Sequence, residues 1–495
     1  MRFTPTLIAL TAFTVSGCTM GPDFQPPEAQ LPQAKFDTHA SAGAAAQPVA
    51  DAWWTLFGDA ELTRLEGRVV SANLDVQVAA LHLSEARSQA GIAGAAYLPV
   101  VNGNANVTRE AQSGRGVVAL MAGSASPATS SNGAGGTTGG FPNAISSPLA
   151  QPISLYQFGF DASWEADLWG RVKRSVEAAD AGTQMSQEAA RGVLITAQAE
   201  LARDYVQLRG IQADIALVQR NLDTDERTLK LLRDRFANGL TNELDVTNQD
   251  SERATTAALL PGLEQEQAQT INAIAYLLGE APGALTAELA PPAALPPVPP
   301  VVPVGLPSDL TRRRPDIRQA EAQLHVATAD VGVAVADFYP RFTLGFSAAS
   351  QALQPHYLDE WSARTFGFGP SITLPIFEGG KLKRTLELRK TEQQEAALLY
   401  RRTVLGALHE VDNALIACAA EQNRQARLAE ALVQTRKALS LARDRYTGGV
   451  GDFLTVLDAE RRVLAGEQAL TDSRTKISTN LVQLYKALGG GWGES

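Results

Sequence analysis

The sequence predicts a mainly α-helical fold with a membrane β-barrel portion, in which one arrangement of helices and strands occurs twice. Three observations support this prediction. A ten-residue stretch beginning at Leu231 recurs 210 positions later, beginning at Leu441, which indicates internal duplication. Long segments in both copies have helical apolar periodicity with no internal proline. Four shorter segments alternate apolar and polar residues, which is typical of strands with one apolar face.

Composition and motifs exclude several classes of function. The chain of 495 residues has a net charge of −10 and no run of Lys or Arg longer than Arg312-Arg313-Arg314, so nucleic acid is not expected as a partner. It has no phosphate-binding loop and no nucleophile elbow, and its histidines lack metal-ligand spacing. We therefore expect no catalytic site, no metal and no cofactor, and the chain is not predicted to be an enzyme. The histidines are His39, His82, His325, His356 and His409.

The first 17 residues have the order of a secretory signal peptide. Arg2 precedes an apolar run, and the small residues Val15-Ser16-Gly17 stand directly before Cys18. Val-Ser-Gly-Cys resembles the bacterial lipobox, which implies cleavage before Cys18, diacylglycerol on its sulfur and an acyl chain such as palmitate on its new amine. Thr19 follows where the inner-membrane retention signal has Asp, so this resemblance points to the outer membrane. An ordinary signal peptide with a coincidental cysteine is the alternative.

Residues 18–64 are interpreted as a tether followed by an anchor. The tether is rich in Pro and Ala and lacks helical periodicity. It leads to Trp53-Trp54, an aromatic cluster that is expected to pack the tether onto the body of the protein. A helix then follows from about residue 62 to residue 97, and its pattern recurs 241 positions later. Pro99 and Pro340 mark the ends of the two copies.

Beyond each of these prolines the apolar period changes to two, which predicts two β-hairpins at 100–168 and 341–376. The clearest strand begins at Tyr156, and its polar face carries Asp161, Glu165 and Asp167. A half-buried sheet in a soluble protein shows the same alternation. The export signal and the very long flanking helices favour a sheet with one face in lipid and a polar lumen. The three acidic residues are then expected to face the lumen and to favour cations.

Four strands cannot close a barrel, and an open sheet edge is not tolerated in lipid. The chain must therefore oligomerise in the membrane. Two copies would give about eight strands with a packed interior, whereas three would give about twelve and leave room for a pore. A conduit requires the homotrimer, surrounded by outer-membrane lipid.

Each copy of the repeat ends in a long helical hairpin. The outgoing helices, residues 171–236 and 381–445, would each extend roughly 100 Å if straight. Glycine turns at Gly239 and Gly449 lead into returning helices with coiled-coil spacing. The predicted organisation is a first repeat at 65–290 with its tip at 236–245, a proline-rich connector at 291–313, a second repeat at 314–490 with its tip at 446–455, and a tail at 491–495.

Several motifs in this order resemble outer-membrane efflux proteins of the TolC type, most closely the OprM- and NodT-like lipoprotein channels of resistance–nodulation–division pumps. The motifs are Cys18-Thr19-Met20-Gly21-Pro22-Asp23-Phe24, Trp53-Trp54, Arg313-Arg314-Pro315-Asp316-Ile317, Phe338-Tyr339-Pro340 and the paired Arg-Phe/Tyr-x-x-Gly turns. The resemblance implies a trimer with a shared twelve-stranded barrel in the outer membrane, a trimeric α-barrel of coiled-coil helices in the periplasm, and an equatorial belt formed by the termini and connector.

The resemblance also assigns roles to the hairpin tips. Asp245 and Tyr446 match residues that latch the closed entrance in such channels, and Asp458 matches a constricting aspartate ring. Gly451 replaces the latch arginine and Thr455 replaces the other ring aspartate. We expect Asp245 and Asp458 to project toward the threefold axis. The tips are expected to dock the periplasmic adaptor protein through Arg235, Phe236, Gly239, Arg445, Tyr446 and Gly449.

The function implied is that of a passive outer-membrane duct that exports drugs or other toxic small molecules delivered by an inner-membrane pump. An exit duct for type I protein secretion or for metal-ion efflux would have the same architecture. A periplasmic coiled-coil lipoprotein with a structural role is the alternative of a different class.

Overall fold

The architecture was determined from a computed structural model of the chain. The structure describes residues 19–27, 44–45, 50–111, 152–299, 302–303 and 310–491. The predicted signal peptide, Cys18, most of the tether, the long loop of the first hairpin, part of the connector and nearly all of the tail lie outside these residues.

The helices occur in two similar series, as the duplication predicts. Both outgoing helices have 67 residues, and their ends are related by the same offset of 210 positions as the sequence repeat. In chain order the helices are α1 (Ala60–Ala72), α2 (Leu74–Gly94), α3 (Arg171–Ala237), α4 (Glu243–Ala257), α5 (Leu260–Leu277), α6 (Thr286–Leu289), α7 (Leu310–Arg313), α8 (Pro315–Ala336), α9 (Lys381–Thr447) and α10 (Phe453–Ala487).

The alternating segments form one antiparallel four-stranded sheet. Its members are β2 (Val100–Glu110), β3 (Ile153–Ala166), β5 (Arg341–Ala352) and β6 (Arg364–Thr373), and they lie in the order β2-β3-β5-β6. A separate parallel pair joins β1 (Ala44–Ala45) to β4 (Val302–Pro303), so these two residues of the tether pair with two residues of the connector. The four predicted strands are therefore confirmed, and the two hairpins lie side by side.

The register places apolar residues opposite one another across the whole sheet. Val101 pairs with Ala162, Ala162 with Phe346, and Phe346 with Phe368. Because directly paired residues point to the same face, this row is apolar throughout. The next row contains Asn102, Asp161 and Ser347 and is polar. The sheet thus has the apolar face and the polar face that alternation in each single strand predicts.

The chain divides into two compact units. The strand unit comprises Gly91–Glu177 and Ala329–Arg389 together with the residues up to Asp23, and the helix unit comprises Phe24–Ala90, Ala178–Thr328 and Lys390–Ser495. In the helix unit, Trp53 is buried and stacks on Tyr485 with ring centroids 5.2 Å apart. Tyr205 donates a hydrogen bond to Asp59, which caps α1. The aromatic cluster therefore packs into a core, as its composition predicts.

Two helices that periodicity predicts as continuous are interrupted. Between α1 and α2, Asn73 adopts an extended conformation, accepts a hydrogen bond from the amide of Val76 and donates one to the carbonyl of Leu277. The first returning helix is broken between α4 and α5, just before Pro261, whose ring cannot continue the helical hydrogen-bond ladder. None of the helices among the described residues is both long enough and apolar enough to cross a membrane.

Candidate functional site

The tips of the two helical hairpins are built by the same backbone turn. In the first tip the amide of Leu240 donates to the carbonyl of Arg235 at 2.9 Å, and Gly239 has a φ of +70°. In the second, Val450 donates to Arg445 at 3.0 Å, and Gly449 has a φ of +75°. Positive φ strains residues with a Cβ, so glycine closes both helices. Asn242 and Asp452 then cap the returning helices.

An apolar cluster packs the two tips together within one chain. The ring of Tyr446 lies 5.2 Å from that of Phe453, and the guanidinium of Arg235 lies 5.2 Å from the centre of the Tyr446 ring, which is within range for a cation–π interaction. The buried members of this tip cluster are Leu232, Ala442, Phe453, Val456, Leu457 and Ala459.

The residues predicted to dock an adaptor differ in exposure. Phe236, Gly239, Arg445 and Gly449 are exposed. Arg235 and Tyr446 are half-buried because they contact each other. The exposed surface of the two tips therefore contains one aromatic ring and one guanidinium from the predicted set.

Asp245 and Tyr446 are brought together through a residue that sequence reasoning missed. Thr241 donates a hydrogen bond to Asp245 Oδ2 at 2.6 Å, and its hydroxyl lies 3.5 Å from that of Tyr446. Asp245 is only 8% exposed in the single chain. The Asp245 carboxylate is therefore largely enclosed by the chain's own tips, and its position relative to a threefold axis stays a prediction. Thr241 lies in the turn four residues before Asp245, and this short spacing was the signal that the sequence offered.

The other predicted gate residues are on the second returning helix. Asp458 is exposed and pairs with Arg462 at 2.9 Å along the same helix, and Thr455 is also exposed. A Cβ built on Gly451 would lie 3.0 to 3.1 Å from the backbone and Cβ atoms of Tyr446 and Arg445. This turn is therefore too tight for a larger side chain at 451 without movement of its neighbours.

Charged groups join the two hairpins beside the tip cluster. Arg461 on α10 contacts Glu252 on α4, with Nη2 2.5 Å from Oε2. Next to this pair, Arg443 binds Glu460 at 2.7 Å. Burial raises the pKa of both Asp225 and Glu460, and the neighbouring Glu252 carboxylate acts in the same direction. Contacts between residues 209 positions apart have no signature in a single sequence, so reasoning from the sequence missed this network.

The acidic residues of the strand unit differ from one another in their partners. Asp161 accepts hydrogen bonds from the side-chain amides of Asn102 and Asn104. Glu165 forms a two-point ion pair with Arg171, at 2.9 and 2.7 Å. Asp167 was predicted to lie on the strand, but β3 ends at Ala166 and the Asp167 carboxylate accepts from the amide of Lys173. It therefore caps the first turn of α3.

Of the two cysteines, Cys18 lies outside the described residues. Cys418 is buried in the helix unit, and burial raises the pKa of its thiol to about 11. A buried neutral thiol of this kind packs as a small apolar side chain. Among the described residues, no group of three or more His, Cys, Asp or Glu side chains could hold a metal ion.

Comparison with known proteins identifies close relatives over nearly the whole chain. The family described as "Outer membrane efflux protein" matches residues 67–280 and 306–490. Outer membrane protein OprJ of Pseudomonas aeruginosa is 32% identical over 98% of this chain and 95% of its own length. The toluene efflux pump outer membrane protein TtgC of Pseudomonas putida is also 32% identical, with the same coverage. The solved structure of the outer-membrane channel OprN matches with a TM-score of 0.84 and 32% identity, covering 96% of this chain and 100% of that one.

Proposed function

The chain belongs to the outer membrane efflux protein family, and we propose that three copies assemble into a passive exit duct completing a tripartite pump. One observation carries the trimer: β2 and β6 are the two edges of a four-stranded sheet with an apolar face. Unpaired edges are not stable in lipid. Pairing β2 of one copy with β6 of the next closes a barrel of about twelve strands, wide enough for a pore.

The length of the helices and the exposed residues of the tips support the proposed partners. Each outgoing helix of 67 residues is roughly 100 Å long, so its tip can reach far into the periplasm. The exposed tip residues Phe236 and Arg445 offer an apolar and a cationic contact for a periplasmic adaptor, and the adaptor connects the duct to an inner-membrane pump. The duct itself does no catalysis, and its transport energy comes from that pump.

The proposed cargo is small toxic molecules, including drugs. Relatives named for toluene efflux and for antibiotic efflux support this choice. A role in type I protein secretion or metal-ion efflux would use the same architecture and is an alternative outcome of the test below. The family match over both repeats removes the purely structural coiled-coil lipoprotein from consideration.

The protein is located in the outer membrane, and we propose that it is also anchored there by lipid. Cys18 follows Val-Ser-Gly and precedes Thr19, which is the basis for predicting acylation at its sulfur and amine. Intact mass measurement of the mature protein tests this directly. A mass equal to the unmodified chain from residue 18, or from any later residue, would contradict it.

The experiment for the duct combines isolation with loss of function. We expect the full-length protein, extracted from outer membranes in detergent, to run as a trimer and to form ion-conducting pores in planar bilayers. Deletion of its gene should sensitise cells to drugs or solvents, and the adaptor should co-purify with the channel. A monomer without conductance would overturn the proposal, while sensitivity to metal ions alone would favour the metal-efflux alternative.

A further inference from the structure

The first residues after Cys18 are built into the strand unit. Residues 19–23, called the N-terminal clip below, contact the segment that links β3 to α3. The amide of Met20 donates to the carbonyl of Trp169 at 3.1 Å. Lys173 donates from its ammonium to the hydroxyl of Thr19 at 3.3 Å. The clip is therefore held by both backbone and side-chain hydrogen bonds.

The clip approaches both repeats too closely for larger residues. Gly21 has a φ of +92°, and a Cβ on it would lie 2.5 Å from the Cα of Gly332 in α8. A Cβ on Gly170 would lie 2.5 Å from the Thr19 side chain. These distances are far below van der Waals contact, so two glycines from separate parts of the chain are needed for the clip to seat.

Arg174, at the start of α3, binds the clip through an ion pair. Its side chain is only 4% exposed, and it pairs with Glu177 at 2.7 Å and with Asp23 of the clip. A Cβ on Gly332 would lie 2.9 Å from the aliphatic part of Arg174. A buried guanidinium is costly unless carboxylates surround it, and Asp23, which is itself 84% exposed, supplies one of the two.

The contacts of the clip join the two copies of the repeat. Trp169 and Arg174 follow β3 in the first copy, whereas Gly332 precedes β5 in the second. In the same unit the Trp169 ring stacks on Tyr339 at 4.9 Å, and its indole nitrogen donates to the carbonyl of Pro340 at 2.9 Å. The clip therefore lies where helices meet strands in both repeats.

We propose that the N-terminal clip is a positioning segment that holds Thr19, the residue after Cys18 in the sequence, near the end of β3 and fastens the two repeats where β3 ends and β5 begins, with Arg174 as its receptor. The clip needs no lipid for its own contacts. Its role in placing the acyl chains rests on the lipidation of Cys18 proposed above. Folding of the sheet and placement of the anchor are then coupled, because Thr19, the residue after Cys18, contacts Lys173 in α3 and Gly21 of the clip packs against Gly332 in α8.

Hydrogen–deuterium exchange of the peptide containing residues 19–27, in the full-length detergent-purified protein, tests the clip directly. Wild-type amides should exchange slowly. Asp23→Asn, which weakens a charge-assisted hydrogen bond, should accelerate exchange by roughly tenfold, and Asp23→Glu should preserve protection. Gly21→Ala should release the clip and reduce the yield of heat-stable trimers several-fold. Gly182→Ala in α3 is the matched control, since a Cβ there meets nothing within 4 Å.

The outcomes separate this inference from the proposed lipidation. Wild-type exchange rates in both Gly21→Ala and Asp23→Asn would overturn the clip, whatever the mass of the N-terminus. Fast exchange in wild type would overturn it as well. An unacylated N-terminus with a protected clip would contradict the lipidation alone. If Gly21→Ala yields no recoverable protein, the exchange rates of Asp23→Asn and Asp23→Glu are compared instead. Equal rates in these two variants would overturn the clip.

Discussion

Arg461 binds Glu252 across the boundary between the two helical hairpins of one chain, through Nη2 and Nε at 2.5 and 2.6 Å from the same carboxylate oxygen. Glu252 is 9% exposed and Arg461 is 60% exposed. The pair therefore couples a buried acceptor on the first returning helix to an accessible donor on the second. Any motion that separates the hairpins near their tips must break it.

We predict that Arg461→Gln favours the open channel. It leaves the buried Glu252 carboxylate without its charged donor, which costs the closed arrangement about 1–2 kcal/mol and corresponds to roughly a tenfold higher open probability. Single-channel recording in planar bilayers measures this effect. Arg427→Gln is the control, because Arg427 pairs with Glu430 on one helix and both side chains are largely exposed. Equal open probability in both variants would show that the pair does not hold the hairpins together.

A second prediction concerns the bridge between Asp245 and Tyr446. Thr241→Val removes the hydroxyl that contacts both residues and should raise open probability about three- to tenfold, as expected for one hydrogen bond. Asp245→Asn and Tyr446→Phe should each have an effect of similar size. Conductance and the uptake of large antibiotics by cells are the measurements.

Because the three residues form one network, their effects should not add. The double variant Thr241→Val with Tyr446→Phe should resemble either single variant. Thr247→Val is the matched control, since Thr247 is exposed and its hydroxyl donates a hydrogen bond to the carbonyl of Glu243 on its own helix. Unchanged conductance after substitution of Asp245 and Tyr446 would count against these residues as a latch.

More of the fold than of the candidate site could be predicted from the sequence. The 67-residue helix α9 ends at Thr447, two residues beyond the predicted end, and the apolar and polar faces of the strands follow from alternation, because both patterns are local and occur twice. Thr241 and the Glu252–Arg461 pair were missed because they depend on how the hairpins pack. Asp167 was misassigned because a period of two does not show where a strand ends and a capping residue begins.

The charge of the predicted lumen gives a third prediction. Replacing Asp161, Glu165 and Asp167 with their amides should reduce cation selectivity, because the field of these groups attracts cations. Reversal potentials in salt gradients measure it. Glu165→Gln combined with Arg171→Gln is the informative control, since it removes an ion pair without changing net charge and should leave selectivity near wild type. An unaltered selectivity in the triple variant would reject a role for these carboxylates.

The last prediction is a pH dependence of stability that arises from Asp214 in α3. Burial, with Asp472 and Glu266 nearby, raises the pKa of Asp214 to about 7, and its Oδ1 atom has no hydrogen-bond partner among the described residues. The unfolded chain ionises this group near pH 4, so its contribution to stability is complete below that pH and is lost as pH rises toward 7. We therefore expect Asp214→Asn to raise the unfolding temperature at pH 8 and to change it little at pH 4, as measured by calorimetry of the detergent-purified channel. Asp223→Asn on the same helix is the control, because Asp223 is exposed and pairs with Arg227. If Asp214→Asn does not raise the unfolding temperature at pH 8, the prediction is contradicted. Water or a neighbouring copy of the chain then satisfies this carboxylate in the assembled channel.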